Sequence, residues 1–169
     1  GISEQDSKIA GLAHDAGKAS IIVVNKWDLI EKDNHSIKLY SKKIKEELPF
    51  MLYAPILFVS ALTSQRLGKI KETVDFIFNE ACKRVSTGVL NDVIGEAVLL
   101  NQPPSDKGKR LNIYYATQVG VRPPTFAIFV NDKDLFHFSY QRYIENKLRE
   151  NFGFEGTPIK IFIREKNRK

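Results

Sequence analysis

The chain has 169 residues, 43% of them hydrophobic, with a net charge of +6 and one cysteine. That is enough apolar material for one or two real cores. The single Cys82 excludes an internal disulfide framework and suits a reducing, cytoplasmic setting. No apolar run approaches the ~20 residues of a membrane span, and no signal peptide is expected. The basic bias is mild and permits nucleic-acid contact without demanding it. Residues 86–169 carry 13 basic side chains against 9 acidic ones, so the excess lies mainly in the second half.

Residues 3–16 read as a helix, with Ser3 or Asp6 as cap, Ile9, Leu12 and Ala13 as an apolar stripe, and Gly17 to close it. Residues 21–24, Ile-Ile-Val-Val, read as a short strand buried on both faces. It ends in Asn25-Lys26-Trp27-Asp28. Residues 36–48 predict an amphipathic helix through Ile37, Tyr40, Ile44 and Leu48, stopped by Pro49. Its Lys38, Lys42, Lys43, Lys45, Glu46 and Glu47 form a solvated face. Residues 55–59 read as a second buried strand, ending in Ser60-Ala61-Leu62-Thr63. A third helix is expected over residues 68–85, with Ile70, Val74, Ile77, Phe78 and Ala81 as its apolar positions and Cys82 beside them in the core.

Two strands joined by a helix form a parallel pair with a right-handed crossover. Ligands of open α/β sheets bind beyond the carboxyl ends of such strands. There the chain places an amide, a cation and a carboxylate. Ionised Asp28 can only accept hydrogen bonds. It therefore suits the two adjacent donors of guanine, N1–H and the exocyclic amine, and repels the N1 acceptor of adenine. Asn25 can brace the loop or reach N7, and the Lys26 stem can lie along the base. Asn-Lys-x-Asp resembles the guanine-recognition motif of the GTPases, and Ser60-Ala61 resembles their Ser-Ala motif. The resemblance implies that the Ala61 N–H meets guanine O6, with Leu62 at the edge of the site.

Residues 86–88 mark the expected boundary, giving domains 1–85 and 86–169. Beyond it, Val89, Leu90, Val93, Ile94, Ala97 and Leu100 make a helical stripe, and residues 103–108 a loop. Residues 111–119 and 125–130 read as strands joined through Gly120-Val121-Arg122-Pro123-Pro124 as a hairpin. Ser139 is expected to cap a helix that turns Tyr140, Ile144 and Leu148 inward and closes near Gly153. Ile159, Ile161 and Ile163 alternate with Lys160, Phe162 and Arg164, a half-buried strand. The order α-β-β-α-β predicts an α+β unit with helices on one face.

Both halves together resemble the end of the Der (EngA) family of bacterial GTPases. That family joins two G domains to a KH-like domain and acts in assembly of the large ribosomal subunit. Gly1-Ile2-Ser3-Glu4-Gln5-Asp6 looks like the segment after its second switch II region. Asn25-Lys26-Trp27-Asp28 and Ser60-Ala61 match its base-recognition motifs, and residues from 86 onward look like its KH-like domain. The resemblance implies an α/β half G domain with parallel strands followed by the KH-like unit. It also implies GTP or GDP as ligand of the parent protein, and the large ribosomal subunit and its rRNA as partners, together with a missing N-terminal G domain. Gly1 in place of Met fits the tail of something longer.

Two departures bear on activity. Gly11 to Ala19 has five residues between its glycines where a P-loop needs four, and Ala19 stands where the Mg²⁺-binding hydroxyl belongs. Asp92-Val93-Ile94-Gly95 mimics a switch motif but falls within a predicted helix of the other domain. Phosphoryl transfer depends on positioning by those groups, so this polypeptide is expected not to hydrolyse GTP alone. Gly153-Phe154-Glu155-Gly156 has the letters of the KH backbone clamp. It lies between a helix and a strand, and Glu155 would repel phosphate, so it reads as a helix terminus and turn. Non-specific RNA contact is instead expected from Lys107, Lys109, Arg110, Arg122, Lys160, Arg164, Lys166, Arg168 and Lys169. His14, His35 and His137 show no metal spacing. The competing readings are a free-standing RNA-binding module and an Era-like GTPase. Era-type KH domains carry the clamp between helices, unlike this chain.

Overall fold

The computed structural model describes residues 1–30 and 35–166. The chain divides into two units, Gly1–Ala81 with Glu155–Pro158, and Cys82–Phe154 with the chain from Ile159.

The first unit opens with α1, Glu4–Asp15. A capping box starts it: Ser3 Oγ accepts from the Asp6 N–H, and the Asp6 carboxylate accepts from the Ser3 N–H at 2.9 Å. Gly17, at φ 68°, ends it, its N–H donating to His14 O. Strand β1, Ile22–Val24, pairs in parallel with β2, Ile56–Phe58, in the register Ile22↔Ile56, Val23↔Leu57 and Val24↔Phe58. Helix α2, Ser36–Glu47, lies between them in sequence, and α3, Leu67–Cys82, follows. The core is Trp27, Ile44, Leu48, Met51, Ala54 and Phe58.

The apolar periodicity here places the helices correctly but overstates their burial. No residue of α1 is buried, and Ile9 and Leu12 face solvent. Val23 is exposed, so β1 is not covered on both faces. Ile37, Val74 and Phe78 are exposed too, leaving Ile44, Ile77 and Ala81 as the buried positions of α2 and α3. A two-stranded sheet offers too little surface to cover two faces and three helices. Helix α3 also ends at Cys82 rather than residue 85, and the Cys82 thiol is only partly buried.

The second unit begins with α4, Thr87–Leu100, capped by Ser86, whose Oγ accepts from the Val89 N–H. Two-residue strands β3, Ser105–Asp106, and β4, Lys109–Arg110, pair where a plain loop was expected. Lys107 and Gly108 both have positive φ, as a tight hairpin turn requires. Strand β5, Ile113–Gly120, pairs antiparallel with β6, Thr125–Val130, and β6 pairs parallel with β7, Lys160–Glu165. Helix α5, Phe138–Phe152, precedes β7. Its N-cap is His137 rather than Ser139, because His137 is the last extended residue and Ser139 already lies in the first turn. Gly153, at φ 89°, closes it.

One face of this sheet packs under α4 and α5. Leu90, Ile94 and Ala97 meet Tyr140, Ile144 and Leu148 above Phe126, Ile128 and Val130. Asn91 reinforces the junction. Its amide donates to Ala116 O at 2.8 Å while its Oδ1 accepts from the Ala116 N–H at 2.8 Å. Those backbone groups lie on the edge of β5 that no strand covers among the described residues. An edge strand leaves such groups unpaired, and one side chain here satisfies both.

Candidate functional site

Val24 is the last residue of β1, and the ladder continues past it. The Val59 N–H donates to Val24 O at 2.9 Å, and the Trp27 N–H donates to Val59 O at 3.0 Å. The two strand-end loops are thereby held side by side. Trp27 is the peg, 2% exposed, with its ring 4.5 Å from Phe58 and 5.4 Å, edge-on, from Tyr40. Burying so large a ring anchors the turn Trp27–Leu29. Lys26 takes a left-handed conformation, φ 61° and ψ 32°. That reverses the chain between the strand and the turn.

Side chains tie the loops further. Asn25 Oδ1 accepts from the Lys26 N–H at 2.8 Å and from the Ala61 N–H at 3.0 Å. Ser60 Oγ donates to Asp28 Oδ1 in a short hydrogen bond and accepts from the Thr63 N–H at 3.2 Å. Ser60 is fully buried, and its N–H donates to Gln65 O at 3.1 Å. Asp28 is half-buried, and its Oδ2 has no hydrogen-bond partner among the described residues. Lys26 is exposed, and Leu62 stands out at 85% exposure. Asn25, Asp28, Ser60 and Ala61 therefore form one hydrogen-bonded cluster, with Lys26 and Leu62 on its rim. Neither the Ser60–Asp28 bond nor the part played by Trp27 was legible in the motif letters. A lone Trp inside an otherwise polar turn is the signal that could have revealed the peg.

The basic candidates of the second unit fall into two groups. Arg110, on β4, and Lys166, just after β7, line one cleft of about 800 Å³ with Asn112, Tyr114, Asn131 and Glu165. Lys107 and Lys109 belong to the same small hairpin as Arg110. Lys160 and Arg164 share one side of β7, and Arg122 sits in the β5–β6 turn, at the Lys160 end of the sheet. Arg168 and Lys169 lie outside the described residues. No group of three or more potential metal ligands occurs among the described residues, nor is any helix there long and apolar enough to cross a membrane.

Residues 84–164 match the family described as the KH-domain-like region of EngA bacterial GTPase enzymes, C-terminal. The whole chain is similar to proteins named GTPase Der. It is 64% identical to that of Alkaliphilus metalliredigens over 99% of its length, 63% to that of Alkaliphilus oremlandii over 98%, and 60% to that of Ruminiclostridium cellulolyticum over 99%. The chain belongs to the Der (EngA) family. It spans 38% of the length of these relatives, and the KH-like match places it in their C-terminal part. Within the family's KH-like region, Gly153 is a helix terminus. Arg149 reaches past it to donate to Phe154 O at 2.8 Å, so the Gly-x-x-Gly letters build a turn.

Proposed function

We propose that the first unit is the base-recognition half of a GTP-binding domain, and that the second is a ribosomal-RNA contact domain of a GTPase acting in large-subunit assembly. The observation that carries the first part is the pairing of Asn25–Asp28 with Ser60–Ala61 across two adjacent parallel strand ends. An RNA module has no need of that geometry. Guanine N1–H and its exocyclic amine would lie on the Asp28 carboxylate, which Ser60 holds in place. The Ala61 N–H donates to Asn25 Oδ1, so guanine O6 would share or displace that bond. Lys26 would flank the base and Leu62 would border it. Phosphates and Mg²⁺ would be held by the part of the parent that precedes this chain. The exposed Ile9, Leu12, Val74, Phe76 and Phe78 suit packing against that part.

The test belongs in the full-length parent, where nucleotide binding is measurable. Asp28→Asn replaces an acceptor oxygen by a donor. That donor opposes guanine's amine and suits the carbonyl that xanthine carries there. GTP affinity should fall by about 2–4 kcal/mol, since a buried polar group is left unpaired, and XTP should gain relative to GTP. Competition between the two nucleotides on wild type and variant reads this directly. An unchanged GTP/XTP preference would mean that Asp28 does not read the base.

The RNA part rests on charge. Lys107, Lys109, Arg110, Arg122, Lys160, Arg164 and Lys166 each offer screened attraction to phosphate. RNA affinity of the chain should therefore fall steeply with salt.

A further inference from the structure

We infer that the outer face of the β5-β6-β7 sheet is a platform for single-stranded RNA, on which unpaired bases stack against Tyr115, Phe129 and Phe162. The inference rests on the reading of the second unit as an RNA-contacting domain, and adds the place and the strandedness of the contact.

Strand alternation separates two faces. Phe126, Ile128 and Val130 point into the core with their partners Ile161 and Ile163. The opposite positions are Tyr115 and Thr117 on β5, Ala127 and Phe129 on β6, and Lys160, Phe162 and Arg164 on β7. The solvent face of a one-sided sheet is ordinarily polar. Here it carries three aromatic rings, with Tyr115 39% and Phe162 49% exposed. Tyr115 and Phe129, directly paired across strands, lie with centroids 4.4 Å apart and planes 13° from parallel. Such a flat pair can be extended by a third ring. Phe162 lies diagonally across the sheet from Tyr115, about 12 Å away by strand and residue spacing, so the two sites take splayed bases.

Charge identifies the occupant. None of these outward positions is acidic, whereas Lys160 and Arg164 are exposed and have no acidic partner among the described residues. Lys166 Nζ sits 5.6 Å from the Tyr115 ring centroid. Glu165 has the opposite parity, and its Oε1 accepts from the Lys133 N–H at 3.1 Å. Exposed rings alone would suit a protein partner. Rings flanked by cations with no carboxylate suit a polyanion whose bases have free faces, which is a single strand and not a duplex. The usual KH route is closed here, since Gly153 ends α5.

Fluorescence anisotropy of the 169-residue chain with a labelled oligoadenylate, against an RNA duplex of equal length, tests this. The single strand should bind more tightly. Tyr115→Ala and Phe162→Ala should each weaken it by about tenfold. Phe162→Trp should keep the affinity and show quenching of the new indole by unlabelled oligoadenylate, a readout that reports contact at that position independently of the alanine variants. If the alanine variants bind as wild type does, or the duplex is preferred, or the indole is not quenched, the stacking platform is wrong while the RNA-contact reading stands. If neither RNA binds, both fail.

Discussion

Gly156 shows how much a single position can fix. Its N–H donates to Tyr53 O at 2.8 Å, and its carbonyl accepts from the Ser20 N–H at 2.8 Å. Its φ is +78°, and an added Cβ would lie 2.3 Å from Ile77 Cγ2 and 2.6 Å from Ile77 Cβ. Ile77 is buried on α3 and cannot swing aside. Gly156→Ala thus combines a left-handed backbone penalty with overpacking, together about 2–4 kcal/mol. Urea unfolding should show the free energy of unfolding fall by that amount, with a matching drop in midpoint, whereas Gly108→Ala, with equally positive φ but open space around it, should cost only the smaller backbone share. Equal losses at the two positions would remove Ile77 from the explanation.

At the scale of elements, what the sequence revealed and what it hid divide along one physical line. Period and punctuation are local, so α1, α4 and α5 could be read from Ile9-Leu12, Leu90-Ile94-Ala97 and Tyr140-Ile144-Leu148, and the parallel pair from two apolar runs. Burial is not local. Leu12, Val74 and Phe78 have the spacing of core residues and face solvent because nothing among the described residues of the first unit covers them. The cluster of Asn25, Asp28, Ser60 and Ala61 was legible as motif letters. Its internal bonds, and the aromatic face of Tyr115 and Phe129, were not, since both depend on which strand positions meet.

The α4–α5 contact offers a test at the same scale. The Tyr140 hydroxyl donates to Asn101 O at 3.0 Å. Burial pushes its pKa up to about 12, with the neighbouring Tyr143 adding to the rise. A folded value above the unfolded one, near 10, means that folding favours the neutral phenol. That stability is present in full below pH 10 and is lost as pH rises toward 12. Tyr140→Phe forgoes the hydrogen bond, about 1 kcal/mol, but also the liability. Wild type should be the more stable protein at pH 8, and the difference should shrink and then reverse between pH 10 and 12. A constant difference by circular dichroism across that range would show that Tyr140 does not titrate with unfolding.

For the whole molecule, the question is what 169 residues can do with guanine nucleotide. The chain contains the cluster proposed to read the base but no P-loop sequence. Phosphates carry most of the charge-assisted binding of a nucleotide, through backbone N–H groups, a lysine and Mg²⁺. Contacts to guanine alone would supply on the order of −4 kcal/mol, a millimolar dissociation constant. GTP, GDP and guanosine should then bind this chain about equally, because the site would sense only the base, and Mg²⁺ should make no difference. Calorimetry with the three ligands distinguishes this from a complete site. Micromolar, Mg²⁺-dependent binding of GTP in preference to guanosine would require a phosphate site that the motif reading denies, and the division of labour between this chain and the rest of its parent would have to be redrawn.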